Sequence, residues 1–259
     1  MRYMTLVLTL LFLVSLAPAA SFQNPQETPA KPLYKTTGNE GTLTGTIVFN
    51  GEVPMRKRYD MTADPVCVEQ NRKPVYTNDL LVNQQRVLNT FIYVKDGEPL
   101  NNFRFEVPES EVTLAHVNCS YSPHVLGIRV GQRLSIVNSD ATVHNTHPTP
   151  KLNPEWNMSQ AVGGPPYVAT FNRQELFIPI KDNQHPWEKA YLGVFDHPFF
   201  AVSDNFGSYE IRGLPPGKYT LVAWHERLGK QELEITVVPG QSQKIDFTFD
   251  LAKTDSRME

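Results

Sequence analysis

The sequence predicts an all-β protein. Short apolar runs alternate with polar residues, turn residues separate them at regular intervals, and no long segment carries a helical period. The first strand is read from Leu43, Ile47 and Phe49, which alternate with Thr42, Thr44 and Thr46. Further strands are expected at 90–94, 133–137, 175–180, 190–195, 218–224, 232–238 and 244–249. Between them stand Asn138-Ser139-Asp140, Gly163-Gly164-Pro165-Pro166, Asp204-Asn205-Phe206-Gly207 and Pro215-Pro216-Gly217, where Gly supplies positive φ and Pro sets the bend.

Ahead of the first strand, Met1-Arg2-Tyr3-Met4 is a short basic start, residues 5–16 are an apolar run, and Ala17-Pro18-Ala19-Ala20-Ser21 offers small residues to a signal peptidase. The run is short for a membrane span, so residues 1–20 read as a cleaved secretory signal, with an uncleaved anchor as the alternative. Residues 21–40, polar and Pro-containing, read as a flexible leader, and the protein is expected in the periplasm or outside the cell. Without the signal, which carries one Arg and no acid, the net charge of −3 becomes about −4. A mildly acidic chain with no Lys/Arg block gives no electrostatic case for nucleic acid or anionic membrane as the main partner. No later segment is apolar enough to span a membrane. Cys67 and Cys119 are the only cysteines, so in an oxidising compartment one structural disulfide is expected; one of them as a metal thiolate is the alternative.

The C-terminal stretch has two tight turns, each feeding a strand: Ser203-Asp204-Asn205-Phe206-Gly207-Ser208-Tyr209 and Gly213-Leu214-Pro215-Pro216-Gly217-Lys218-Tyr219. It resembles the transthyretin-like, carboxypeptidase-regulatory β-sandwich, and Gly45-Thr46-Ile47-Val48-Phe49-Asn50-Gly51 resembles that family's first strand and turn. The resemblance implies a sandwich beginning near Gly41 and ending near Phe249, with an insertion between. It says little about function, since similar modules pack against, or bind glycans beside, carbohydrate-active enzymes.

The insertion carries the chemistry. Residues 130–140 lead into Ala141-Thr142-Val143-His144-Asn145-Thr146-His147, and about forty residues later comes Asp182-Asn183-Gln184-His185-Pro186-Trp187-Glu188. This resembles a cupredoxin, with a short amicyanin-type ligand loop, and the wider segment resembles exported bacterial plastocyanin-like proteins, some labelled methylamine-utilisation proteins. By that resemblance His144 and His185 stand at the two histidine ligands, and Asn145 stands at the residue that helps to pin the ligand loop. Asp182 stands where the thiolate Cys belongs and Glu188 where the axial Met belongs. A blue-copper site needs the thiolate and the weak axial sulfur. The set His144, His185, Asp182 and Glu188 would suit Cu(II), Zn(II) or another divalent ion, without fast electron transfer. Alternatively the site is lost, and these residues are packed or solvent-facing groups and ordinary loop acids.

The remaining candidates read as structural. His147 reads as a loop polar group, His124 as a hydrogen-bonded neighbour of the disulfide, His116 as a surface or rim residue, and His197 as a strand end. Trp224-His225-Glu226 reads as a buried Trp with a capped His, or less favourably as a sugar-binding face. Trp156, Trp187 and Tyr167 serve equally as packing or stacking surfaces, and Ser203 with Asp204 makes no spacing-supported triad. The expected organisation is 41–85 as the first part of the transthyretin-like sandwich, 86–201 as a cupredoxin-like unit, 202–250 as the rest of the sandwich, and 251–259 as a tail. The expected function is non-enzymatic: a secreted binding or structural module, with a protein or glycan partner and copper or zinc as candidate ions. A plastocyanin-like electron carrier, a carbohydrate-binding module and a metallohydrolase are the rivals.

Overall fold

Four successive residues with no exposed face, Phe91, Ile92, Tyr93 and Val94, mark the centre of the architecture in the computed structural model, which describes residues 31–251. Side chains alternate across a strand, so a continuous buried apolar run means a strand covered on both faces. Ile92 and Val94 enter one core with Leu221 and Ala223. Phe91 and Tyr93 enter a second cluster with Val125, Phe195 and Val222. Their strand, Phe91–Gly97, lies between Phe200–Val202 and Gly217–His225, and Gly229–Val237 completes that sheet.

On its first face this sheet packs against one organised by the strand Gly41–Asn50. Both edges of that strand are used in two halves. Ser208–Leu214 and then Arg86 pair antiparallel on one edge, while Ser242–Lys244 and Phe247–Asp250 pair parallel on the other. The expected strand at 244–249 is thus broken in the middle, and the cause is local. The Ile245 carbonyl passes so close to Gly45 that a Cβ there would lie 1.8 Å from it, and Asp246 Oδ1 accepts from Thr46 N and Oγ1 at 2.8 and 2.9 Å.

On its second face lies the other sandwich. Its five-stranded sheet runs Met158–Gln160, His144–Pro148, Glu175–Lys181, Lys189–Phe195, Val125–Arg129, and its four-stranded sheet runs Tyr167–Thr170, Arg133–Asn138, Val112–His116, Tyr121–Ser122. Leu114, Ile128, Leu134, Ile136, Ile180 and Leu192 fill the space between them. The architecture is all-β as expected, with only two short helices, Pro65–Gln70 and Glu98–Asn102, among the described residues.

The two sandwiches keep separate cores and meet through a third, aromatic layer. Gly127 and Gly193 are register partners there. A Cβ on Gly127 would lie 2.4 Å from Phe200, and one on Gly193 would lie 2.6 Å from Phe195 and 3.0 Å from Phe91, so the bare backbone seats the rings. Phe177, at positive φ inside a register shift, stacks on Trp224 at 3.9 Å. The buried Arg129 guanidinium donates to the carbonyls of Phe105, Glu106, Phe195 and Asp196.

Two expected groupings differ from the observed pairing. Residues 86–97, read with the cupredoxin-like unit, hydrogen-bond instead to Gly41–Asn50 and Gly217–His225, because Ile92 and Val94 complete the core of the sandwich built on Gly41–Asn50. That sandwich is the outer one, and the other is the inner one. Residues 31–40, read as part of a flexible leader, run against 103–105. Tyr34 N donates to Arg104 O at 2.8 Å, and the Tyr34 ring meets Phe103 and Phe105 at 5.2 and 5.5 Å. A single aromatic anchor pins that segment. The expected signal, residues 1–20, lies outside the described residues, as do the first ten residues of the leader. No described helix is long and apolar enough to cross a membrane.

Candidate metal centre

The strand His144–Pro148 and the turn after Glu175–Lys181 bring the four carried-over residues together. The turn is held by Asp182 itself, whose Oδ1 accepts from Gln184 N at 2.7 Å and His185 N at 3.0 Å. Asn145 fastens it to the neighbouring strand: its N donates to Asp182 Oδ2 at 2.9 Å, and its Oδ1 accepts from Asn183 N at 3.2 Å. The Asn145 amide in turn donates to Asn157 Oδ1.

The ligand-type atoms converge. Asp182 Oδ2 lies 3.1 Å from His144 Nδ1 and 3.2 Å from His185 Nδ1. Glu188 Oε1 lies 3.2 Å from His144 Nδ1 and 3.9 Å from His185 Nδ1, and it is a buried oxygen without a hydrogen-bond partner. Metal–ligand bonds of about 2.0–2.1 Å in a tetrahedron imply ligand–ligand edges of roughly 3.3 Å; three of these nitrogen–oxygen separations are close to that length and the fourth, Glu188 to His185, is longer. All four residues are at most 3% exposed.

Each histidine is oriented from behind by a second carboxylate. His144 Nε2 lies 3.0 Å from Asp140 Oδ2, which is held by the backbone N–H of Cys119 at 2.8 Å. His185 Nε2 lies 2.9 Å from Asp64 Oδ2. Asp64 is the N-cap of Pro65–Gln70 and also accepts from Thr142 Oγ1 at 2.7 Å. A carboxylate behind the imidazole fixes the tautomer and turns the other nitrogen inward, the usual second layer of a metal site. Cys67, in that short helix, forms the expected disulfide with Cys119, which ties the cap to the loop under the centre. Trp187 closes the side, donating its indole N–H to Cys119 O at 3.0 Å.

The electrostatics follow from this packing. Burial opposes a charge on His144, but hydrogen bonds to Asp140 and Asp182 and the nearby carboxylate charge of Glu188 outweigh it and push the imidazole up to about 11. His185 is raised against burial by Asp182 and Asp64. Burial would lift Asp182, yet its bonds to both histidines and to backbone N–H groups pull it well below the usual carboxylate range. Asp64 is likewise lowered, to about 2, by His185, Thr142 and the helix N–H groups against burial. Without a cation, both nitrogens of each ring face carboxylates, which favours imidazolium; a divalent ion supplies the same positive charge between the Nδ1 atoms.

His116 belongs to this cluster and corrects the surface reading: it is fully buried. Its ring stacks on His144 at 4.3 Å, and its Nδ1 lies 2.9 Å from Glu188 Oε2 and its Nε2 2.9 Å from Thr146 Oγ1. In the strand Val112–His116 it follows Val112 and Leu114 on the inward face, a period-2 signal present in the sequence. One nitrogen or oxygen from each of His116, His144, Asp182 and Glu188 lies within 4.8 Å of the others.

The other candidates sit elsewhere. His147 turns away from the centre to Glu155 at 2.7 Å and to Asn183. His124 does not accompany the disulfide: it bonds Glu226, Asn78 and Lys189 O, because the strand it precedes faces the aromatic layer. His197 and His225 are buried, and their Nδ1 atoms accept from Phe199 N and Arg227 N, each at 3.1 Å. Ser203 bridges Thr90 N and Val87 O, and Asp204 caps its own turn. Trp156 packs on Tyr167 at 5.1 Å.

A family model described as the carboxypeptidase regulatory-like domain matches residues 182–250. Among solved structures, the chain is similar to a Cu-containing nitrite reductase from Thermus scotoductus SA-01, at 17% identity and a TM-score of 0.32, over 58% of this chain and 28% of that one. It is similar to a reduced mutant of amicyanin at 20% identity and a TM-score of 0.30, over 34% and 86% of the two chains. It is also similar to a purple cupredoxin from Nitrosopumilus maritimus at 19% identity and a TM-score of 0.28, over 32% and 98%. The chain thus spans little more than a quarter of the nitrite reductase. No curated protein sequence matches it. The cysteine and methionine of a copper site are not present at this centre.

Proposed function

We propose that this is an exported binding protein, not an electron carrier, whose inner sandwich holds one divalent cation as a structural element. The observation that carries the reading is the convergence of Glu188 Oε1, buried and without a hydrogen bond, on the same two Nδ1 atoms that Asp182 Oδ2 approaches. Two imidazole nitrogens and two carboxylate oxygens are borderline-to-hard donors. They suit a tetrahedral ion of the zinc class and hold Cu(I) poorly, so electron transfer through a copper–thiolate bond is not supported. Burial of every ligand argues against the open coordination position that metal-assisted hydrolysis requires. The disulfide supports an oxidising compartment. The outer sandwich then serves as the binding or architectural module, for a protein or glycan partner.

The test is metal content by plasma mass spectrometry on the mature protein, after equilibration with zinc and removal of loose ions, beside His185→Ala. About one zinc per chain, lost in the variant, is expected. No retained zinc in either protein would leave the cluster as a closed set of imidazolium–carboxylate pairs and overturn the reading.

A further inference from the structure

The sulfur donors missing from the Nδ1 side of the histidine pair are present on another side of it. A ligand atom of Asp64, the sulfur of Cys67 and a ring nitrogen of His185 lie within 4.8 Å of one another, and the same holds for Cys119, Asp140 and His144. Asp64 and Asp140 bond the Nε2 atoms, the nitrogens left over once both Nδ1 atoms face Asp182 and Glu188. Both cysteines are fully buried, and Met61 and Trp187 pack around them as an apolar shell. Two sulfurs joined in one bond therefore sit beside two imidazoles that carboxylates already orient.

We propose that reduction of Cys67–Cys119 opens a second metal site, in which the two thiolates and the Nε2 atoms of His144 and His185 hold a thiophilic divalent cation of the zinc class. The reductant is a dithiol. Its two electrons and two protons break the S–S bond and form two thiols, and it closes its own disulfide. The cation then displaces the two thiol protons and binds the thiolates. Two thiolates with two imidazoles make a closed tetrahedral donor set. Each sulfur lies within 4.8 Å of a ring nitrogen of one of the two histidines, and sulfur–nitrogen edges in such a site are roughly 3.6 Å. The same histidine pair thus offers oxygen donors when the disulfide is closed and sulfur donors when it is open. Asp182 and Glu188 take no part in the second site, which shares only the two histidines with the oxygen-ligated one and can therefore be tested without those carboxylates.

The experiment uses Co(II) as a spectroscopic probe on the full mature chain, oxidised and after reduction on an immobilised dithiol that is removed before metal is added. The reduced protein is expected to bind one Co(II) with sulfur-to-metal charge-transfer absorption in the near ultraviolet. That band should be absent from the oxidised protein and from the Cys67→Ser/Cys119→Ser variant, and His185→Ala should weaken the binding at least about tenfold. The Asp182→Asn/Glu188→Gln variant separates the two readings: it should lose cobalt binding in the oxidised state and keep the charge-transfer band in the reduced state. A reduced, folded protein with two free thiols and no such band overturns the proposal. So does a band unaffected by His185→Ala, or loss of the β circular-dichroism signal on reduction.

Discussion

Glu188 turns Oε1 toward His144 Nδ1 at 3.2 Å while its Oε2 lies 2.9 Å from His116 Nδ1, so one carboxylate faces two stacked imidazoles with no water-exposed edge. An ordinary loop acid is solvated; this one is 2% exposed in a β-sandwich interior. Taking a carboxylate out of water is costly unless a positive partner compensates it. Here the compensation comes from a cation or from imidazolium, and the two alternatives differ in what mutation does.

Glu188→Gln keeps the shape and removes the charge. Zinc affinity is expected to fall by at least about tenfold, a loss of roughly 1.4 kcal/mol or more, as read by calorimetric titration. Asp182→Ala removes the group that bonds both rings and three backbone N–H groups. Its expected cost to the metal-free protein is about 3–5 kcal/mol, the usual penalty for stranding buried charged partners, measured by urea denaturation. A cost below about 1 kcal/mol would mean that the network is not closed in solution.

Acid should destabilise the outer layers through two histidines far from the centre. Burial pushes His197 down to about 4 and His225 down to about 3. Both rings accept a backbone N–H at Nδ1, which protonation would forbid. In the unfolded chain each titrates near 6.5. Between those values the unfolded chain binds more protons, so stability rises with pH across the window. Their contribution is fully present above about 6.5 and is lost as pH falls through 4 and 3. The urea midpoint is expected to drop between about pH 7 and pH 5, and His225→Gln should flatten that slope; an unchanged slope would refute the assignment.

Cysteine removal tests the strap. Cys67 and Cys119 are 52 residues apart, and closing such a loop is worth about 4 kcal/mol by chain entropy. Cys67→Ser/Cys119→Ser should lower stability by about that amount. Hydrogen exchange in residues 64–70 should accelerate, because the Asp64 cap is tied down through that bond.

Gly193→Ala probes the aromatic layer. The added methyl would meet Phe195 at 2.6 Å and Phe91 at 3.0 Å, both ring atoms in a packed cluster. Overpacking of this kind costs about 1–3 kcal/mol. The loss should appear in thermal unfolding, with near-ultraviolet aromatic dichroism changing and zinc affinity unaffected.

Much of this molecule is legible in the sequence. Alternation around Leu43, Ile47 and Phe49 marks the organising strand, and the ligand-loop spacing from His144 to His185 and Glu188 marks the centre. Two cysteines, the only pair in the sequence, mark the disulfide. The residues that escape a linear reading are the ones that complete the centre from a distance. Asp64 reaches His185 across 121 positions, on a helix of one and a half turns whose only signal is an Asp before Pro65. Asp140 looks like a turn residue until the turn folds back on His144. His116 was signalled by its parity with Leu114, but a histidine on an apolar face acquires meaning only when Glu188 and Thr146 arrive from other strands. The covering of both faces of 91–94 is written in its continuous apolar run, yet which sheet covers which face depends on Gly127 and Gly193, distant from it in the chain.

The most direct test of the central claim is X-ray absorption at the zinc edge of the zinc-loaded, oxidised protein. The expected first shell is four nitrogen or oxygen atoms at about 2.0 Å with imidazole scattering beyond it, and no sulfur. A sulfur shell near 2.3 Å, or a six-oxygen hydrated ion, would contradict it.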